Sequence, residues 1–393
     1  MTAAPPTTTI PRRDDRPAEV QVRRRLGGIS RDDLVNIGGA MASAVCITML
    51  LFGQLTALSG PLGFVVVAFV IFLATYAFVV SLTEDRPVVV DKVMTALFST
   101  AAAVAGLALL SVVSFTLYRG RTALSRTNLY LSDMSEAGPS DPLSVGGIKH
   151  AIVGTLIMIS MAVLITVPLG LTCAVFLNET RSRAGRLVRT IVDAMTALPS
   201  ILAGLFIFAT WILILGFERS ALAASLAISI MMLPIIIRSA DVVLRLVPGN
   251  LREASAALGA PQWRTVWHVV LPTARSGLAT AVILGVARGV GETAPVLLTA
   301  GFTSSLNLNP TKNPMVSLPL ATFEFVRSPQ PALVARGFAT AAVLMVVVLV
   351  LFTLTRVLGG HQAGHATGRQ ARQMAARSAR DGARFASTRP EGR

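Results

Sequence analysis

Eight apolar runs, each long enough to cross a bilayer, divide this chain of 393 residues. They cover 34–58, 62–82, 93–118, 151–177, 187–217, 221–246, 274–301 and 333–358. A spanning helix needs about 20 predominantly apolar residues. Lipid admits only helices or closed barrels, because unpaired backbone groups find no water there. The pattern therefore predicts an all-α polytopic membrane protein of about eight transmembrane helices. Only Ser59, Gly60 and Pro61 separate the first two runs, which suits a tight hairpin turn.

Composition excludes the main alternatives. Charged residues make up 14% of the chain, against about a quarter in soluble domains. The net charge of +15 would suit a nucleic-acid partner, but its distribution does not. With both termini in the cytoplasm, 25 basic residues fall on inner segments and 7 on outer ones, while Arg238, Arg288 and Arg336 lie within runs. That asymmetry is how a membrane protein orients itself, and it predicts an even number of spans. The tails, 1–33 and 359–393, are basic and poor in apolar residues, so they are expected to be disordered. The second is suited to anionic headgroups, or to topology control alone. The N-terminus is a poor secretory signal, since some 30 polar residues precede a run too long for one. Cys46 and Cys173 sit in apolar runs, and His150, His268, His361 and His365 lack metal-ligand spacing, so no metal is expected. An intramembrane protease would need paired acids or a Ser/His arrangement, and no run offers either.

The segment 248–272 is too polar and too interrupted to span. Asn250 and Glu253 read as a capping box opening a short helix. Gly259 suits the left-handed residue that ends it, and Pro261 the first turn of a second. Ala254, Ala256 and Ala257 give the first helix a small face, able to dock closely in a groove of another protein. The chain carries no Gly-x-x-x-x-Gly-Lys-Ser/Thr phosphate loop, so ATP and Mg would have to be bound by a separate subunit.

Charges within the runs are functional candidates, because one at mid-bilayer costs about 2.5–3.5 kcal/mol on insertion scales. The sixth run carries Arg238 and Asp241, the latter nearer the inner interface. The seventh carries Arg288 and Glu292, four residues apart and so on one helix face. A guanidinium offers paired donors that match an oxyanion. A neighbouring carboxylate keeps the positive charge from trapping that anion, and accepts a proton-bearing oxygen. The alternative is self-neutralised structural pairs between packed helices. Pro168, Pro199, Pro234 and Pro295 interrupt runs, as in transporters whose broken helices line a cavity.

Two sets of residues resemble known families. Glu253-Ala254-Ser255, three residues, Gly259, nine residues, then Val269-Val270-Leu271-Pro272 resembles the EAA loop of bacterial ABC import permeases; Ser255 and Val269 depart from it conservatively. More narrowly, Gly146–Thr155, Met195–Leu205, Met232–Arg238, the Val247–Ala254 lead-in and Gly291-Glu292-Thr293-Ala294-Pro295 resemble the phosphate-specific permeases, in particular their PstA branch. The likeness covers about 115–358.

The resemblance implies a type I ABC-importer permease fold in a bacterial plasma membrane: a six-helix core within 93–358 and an extra hairpin at 34–82. It implies a phosphate importer working by alternating access, with a homologous PstC-like permease, a PstB-like ATPase dimer and an extracytoplasmic phosphate-binding protein. Arg238, Arg288, Glu292 and Thr293 would line the substrate path. Glu253, Ala254, Ser255, Gly259, Leu271 and Pro272 would couple to the ATPase. A permease for sulfate or molybdate, or a phosphate-sensing scaffold, is the alternative.

Overall fold

The computed structural model describes residues 31–55, 60–180, 182–359 and 378. The expected disorder of the tails falls almost wholly outside these residues. Among the described residues every regular element is a helix. The chain divides into two compact units, 1–109 and 110–393.

The first unit holds α1 (Arg31–Leu50, continued by a π turn at Leu51–Leu55), α2 (Pro61–Ser81) and the first part of α3 (Arg86–Leu124). α1 begins at Arg31, so the tail boundary expected at residue 33 falls inside a helix. Gly60, at φ 115, takes the turn, and Pro61 opens α2. Ala40, Tyr76 and Val80 are buried against Ile37, Phe72, Val89, Val93 and Ala96. Lys92 Nζ lies 2.8 Å from Asp33 and 3.4 Å from Glu84, tying the starts of α1 and α3 to the end of α2. At 39 residues, α3 is roughly 58 Å long, well beyond the hydrocarbon thickness.

The second unit is built around α8 (Ala221–Arg245), which packs on α5 (Lys149–Glu179) and α11 (Leu271–Val290). Lipid tails are as apolar as leucine, so close packing of small residues drives helix association there. Ala223, Ala224 and Ala227 of α8 are fully buried. The Ser225 hydroxyl donates to the carbonyls of Ala221 and Met158, bonding α8 to α5. Across from them, a Cβ on Gly285 would stand 2.5 Å from Ile236, and one on Gly289 2.5 Å from the Met232 sulfur. The Gly285-x-x-x-Gly289 spacing is thus a close-approach seam.

Short helices complete the unit: α4 (Asn128–Leu131), α6 (Arg183–Thr196), α7 (Ser200–Ile207, continued by a π turn at Phe208–Ile214), α9 (Gly249–Ala257), α10 (Gln262–Thr265, then a π turn at Val266–Val270), α12 (Ala294–Thr299) and α13 (Leu318–Val326). The last helix, α14 (Pro331–Gly359), packs on α11 and α13. Its Arg336 is fully buried and donates to the Val145 carbonyl at 2.7 Å, so this intramembrane arginine has a structural partner.

Two expectations need refinement. The run 187–217 is not one straight span: α6 and α7 meet at 106°. Pro199 disfavours helical geometry in the residue before it and lacks a donor, which ends α6. α6 is amphipathic, with Arg183 and Arg186 exposed and Gly185 and Val192 buried. Among the described residues, seven helices are therefore long and apolar enough to span, or eight if the bent pair counts as one. Secondly, Pro168 and Pro234 lie inside the continuous helices α5 and α8, whereas Pro199 and Pro295 stand beside breaks.

Candidate functional site

The break in the seventh run brings the most chemistry together. α11 stops at Val290 and α12 starts at Ala294, which leaves Gly291, Glu292 and Thr293 between helices. Pro295 enters the first turn of α12, where no intrahelical donor is needed. On the facing side α7 approaches closely: a Cβ on Gly204 would lie 2.5 Å from Pro295 Cα. Glu292 is 6% exposed, and Arg288 Nη2 stands 3.0 Å from its Oε1. That contact is an ion pair without hydrogen-bond alignment, since Oε1 is buried and accepts no directed hydrogen bond. Ser200, the first residue of α7, has its hydroxyl beside the same carboxylate. The Arg288 side chain is 51% exposed. An oxyanion arriving here meets an open guanidinium, a hydroxyl at the start of a helix and a carboxylate with acceptor capacity to spare. That set offers both donors and an acceptor to a bound group.

Arg238 lies elsewhere on α8 and is already engaged. Its Nε and Nη2 donate to Asp193 Oδ1 at 3.1 and 2.6 Å, both side chains being about half exposed. Asp241 pairs with Arg245 at 2.7 Å and lies 3.7 Å from Arg189, as suits an interfacial residue. Asp193 and Ser200 were not singled out from the sequence. They flank the α6–α7 bend, one against Arg238 and the other beside Glu292, and nothing in their local sequence announces those partners.

The polar segment folds as expected in outline. Gly259 has φ 75 and ends α9, and the Ser255 and Thr265 hydroxyls lie 2.8 Å apart, holding α9 against α10. The capping box does not form. α9 starts at Gly249 with Pro248 as its cap, so Asn250 already lies inside the first turn. Pro261 caps α10 from just outside, rather than occupying its first turn. Glu253, Ala254, Ala256, Ala257 and Gly259 are exposed, while Ser255 and Leu271 are half-buried and Pro272 is exposed at the start of α11. Leu258, Trp263 and Trp267 are also strongly exposed, and they widen this face into an apolar one beyond the alanines.

The family model for the binding-protein-dependent transport system inner membrane component matches residues 166–361. The phosphate transport system permease protein PstA 1 of Mycobacterium tuberculosis is 39% identical over 259 residues, which cover 66% of this chain and 83% of that protein. PstA of Mycobacterium leprae is 38% identical over 282 residues, covering 68% and 91%. This chain belongs to the PstA family of permeases. PstA of Pasteurella multocida is 36% identical over 258 residues, covering 64% and 88%. A chain of the inward-facing MetNI methionine ABC transporter aligns with 54% of this chain and 91% of its own, at 22% identity and a TM-score of 0.41. As a PstA-family permease the chain is a multi-pass, non-catalytic membrane component of an ABC importer, a class that works with an ATPase and a binding protein. Its break at 291–293 and its exposed hairpin at 249–272 both lie inside the family-model match.

Proposed function

We propose that this permease conducts inorganic phosphate, as part of an importer with a second, homologous permease and a separate ATPase dimer. Both termini face the cytoplasm, so the hairpin at 249–272 meets the ATPase and the 301–317 segment faces the binding protein. The orientation is supported by the excess of basic residues on the inner segments. ATP and Mg bind on the ATPase chain. Its closure moves α9, and the break between α11 and α12 passes that movement to the path.

The observation that carries the cargo assignment is the Arg288–Glu292 pair at that break, with one charge buried and the other open. Arg288 binds the phosphate oxygens. Glu292 accepts the hydrogen of a protonated phosphate and lowers the affinity enough for release. Thr293 lines the path beside them. Arg238 serves as a second station once Asp193 releases it. Sulfate and molybdate are fully deprotonated at neutral pH and lack the hydrogen that Glu292 would accept. The PstA names of the relatives point to phosphate as well.

The test is uptake of labelled phosphate in cells that lack their own high-affinity system and express this permease with its partner subunits. Saturable uptake that sulfate does not compete supports the reading. No uptake, or equal competition by sulfate, contradicts it.

A further inference from the structure

A cleft of about 720 Å³ opens beside the hairpin, between the end of α5, the start of α6, the end of α8 and the start of α9. That volume is within the range of small-ligand sites. Four arginines line it, Arg186, Arg189, Arg245 and Arg252, and among the described residues no carboxylate belongs to the lining itself. We propose that this cleft is a binding site for a phosphoryl anion, separate from the translocation path and placed at the root of the coupling hairpin.

The charge balance supports this. Asp241 pairs with Arg245 at 2.7 Å and approaches Arg189 at 3.7 Å, while Glu179 pairs with Arg252 at 3.2 Å. Two carboxylates thus answer four guanidiniums, and two positive charges remain. Arg186 has no ion pair among the described residues. The Arg252 Nε is buried and has no hydrogen-bond partner.

Backbone geometry adds to it. Gly249, the first residue of α9, lines the cleft, and α9 opens without a side-chain cap. The uncapped first turn of a helix offers N–H groups and a partial positive charge to an anion. Gly185, in the first turn of α6, lines the opposite side, but its N–H is already donated to the Ser182 cap. Guanidiniums in this number match a phosphate group through paired, charge-assisted hydrogen bonds. Leu187 and Leu246, next in sequence to Arg186 and Arg245, are strongly exposed, which suits the acyl region of a lipid whose headgroup enters the cleft. A free phosphate presents the same chemistry without chains. Either occupant would touch Arg252, the neighbour of Glu253 in the hairpin.

The test uses the full-length chain, purified and held in phosphatidylcholine nanodiscs. Binding of phosphatidylglycerol and, separately, of inorganic phosphate is measured by native mass spectrometry. The wild type is expected to bind one of these probes at the cleft, with affinity falling about tenfold in Arg186→Ala. Arg186→Lys should recover part of it. Arg183→Ala, on the same helix but outside the cleft, should leave binding unchanged. A loss confined to phosphatidylglycerol identifies a lipid headgroup, and a loss confined to phosphate identifies the free anion. Phosphate held in the path is insensitive to Arg186 and sensitive to Arg288, so the two assignments fail separately. If Arg186→Ala changes neither probe, or Arg183→Ala weakens binding equally, the site is overturned.

Discussion

Two of the three arginines set deep within the apolar runs of this permease, Arg288 and Arg238, carry opposite arrangements. Arg288 pairs with a carboxylate four residues on, in the break that follows its own helix. The carboxylate is buried and the guanidinium is open. Arg238 pairs with Asp193, which comes from another element, and both groups are about half exposed. Removing Arg288 from the first pair strands the buried Glu292 carboxylate, the costlier kind of loss. Removing one partner of the second leaves an exposed charge, a change of about 0.2–1 kcal/mol in typical pairs. On the proposed reading, the same residue type serves as a fixture in one place and as a releasable latch in the other.

The contrast depends first on the close seam that sets α11 against α8. Gly289→Leu drives a branched side chain into Met232 and Ile228, which already lie within 3.0 Å of a Cβ placed there. The expected outcome is the largest of all: no folded chain recoverable in mild detergent by size-exclusion chromatography. Gly204→Leu, facing Pro295 across the break, should behave the same way. Normal recovery of either would mean that the seam is looser than described.

Arg288→Ala should come next, cutting phosphate uptake by about a hundredfold or more in a chain that still assembles. Arg238→Ala should cut it less than about tenfold, and Asp193→Asn should resemble it. Equal losses from Arg238→Ala and Arg288→Ala would erase the distinction between fixture and latch.

The hairpin should give smaller effects. Gly259→Ala places a Cβ at φ 75 and costs about 1–2 kcal/mol. Ser255→Ala loses the 2.8 Å contact to Thr265, worth about 0.5–1.5 kcal/mol. Both should lower the ATPase activity stimulated by the binding protein, by a few-fold, while the surface expression of the chain is unchanged.

What could be read from sequence follows the range of each interaction. The Arg288–Glu292 pair was legible because a spacing of four brings two side chains within reach, and it forms even though Glu292 lies just past the end of α11. Gly259 was legible because few residues other than glycine accept its backbone angle. Asp193 was not, because it reaches Arg238 across 45 residues only after the chain turns by 106° near Pro199. That turn was itself hidden, since 187–217 has the apolar content of one span while its first half carries Arg189 and Asp193 on an amphipathic helix. The capping box misled for a local reason. Pro248 took the capping position, so α9 begins one residue before Asn250. The segment 34–82, with α1 and α2, lies outside the family-model match of 166–361.

The central claim is that Arg288 and Glu292 handle the cargo rather than merely neutralise each other. Exchanging them separates the two roles. The double substitution Arg288→Glu with Glu292→Arg keeps an ion pair at the same spacing and reverses its polarity, closing the open positive end. Phosphate uptake and complex assembly are measured together in this variant. The expected result is an assembled complex whose uptake is abolished. Uptake near the wild-type level in the exchanged chain would contradict the account.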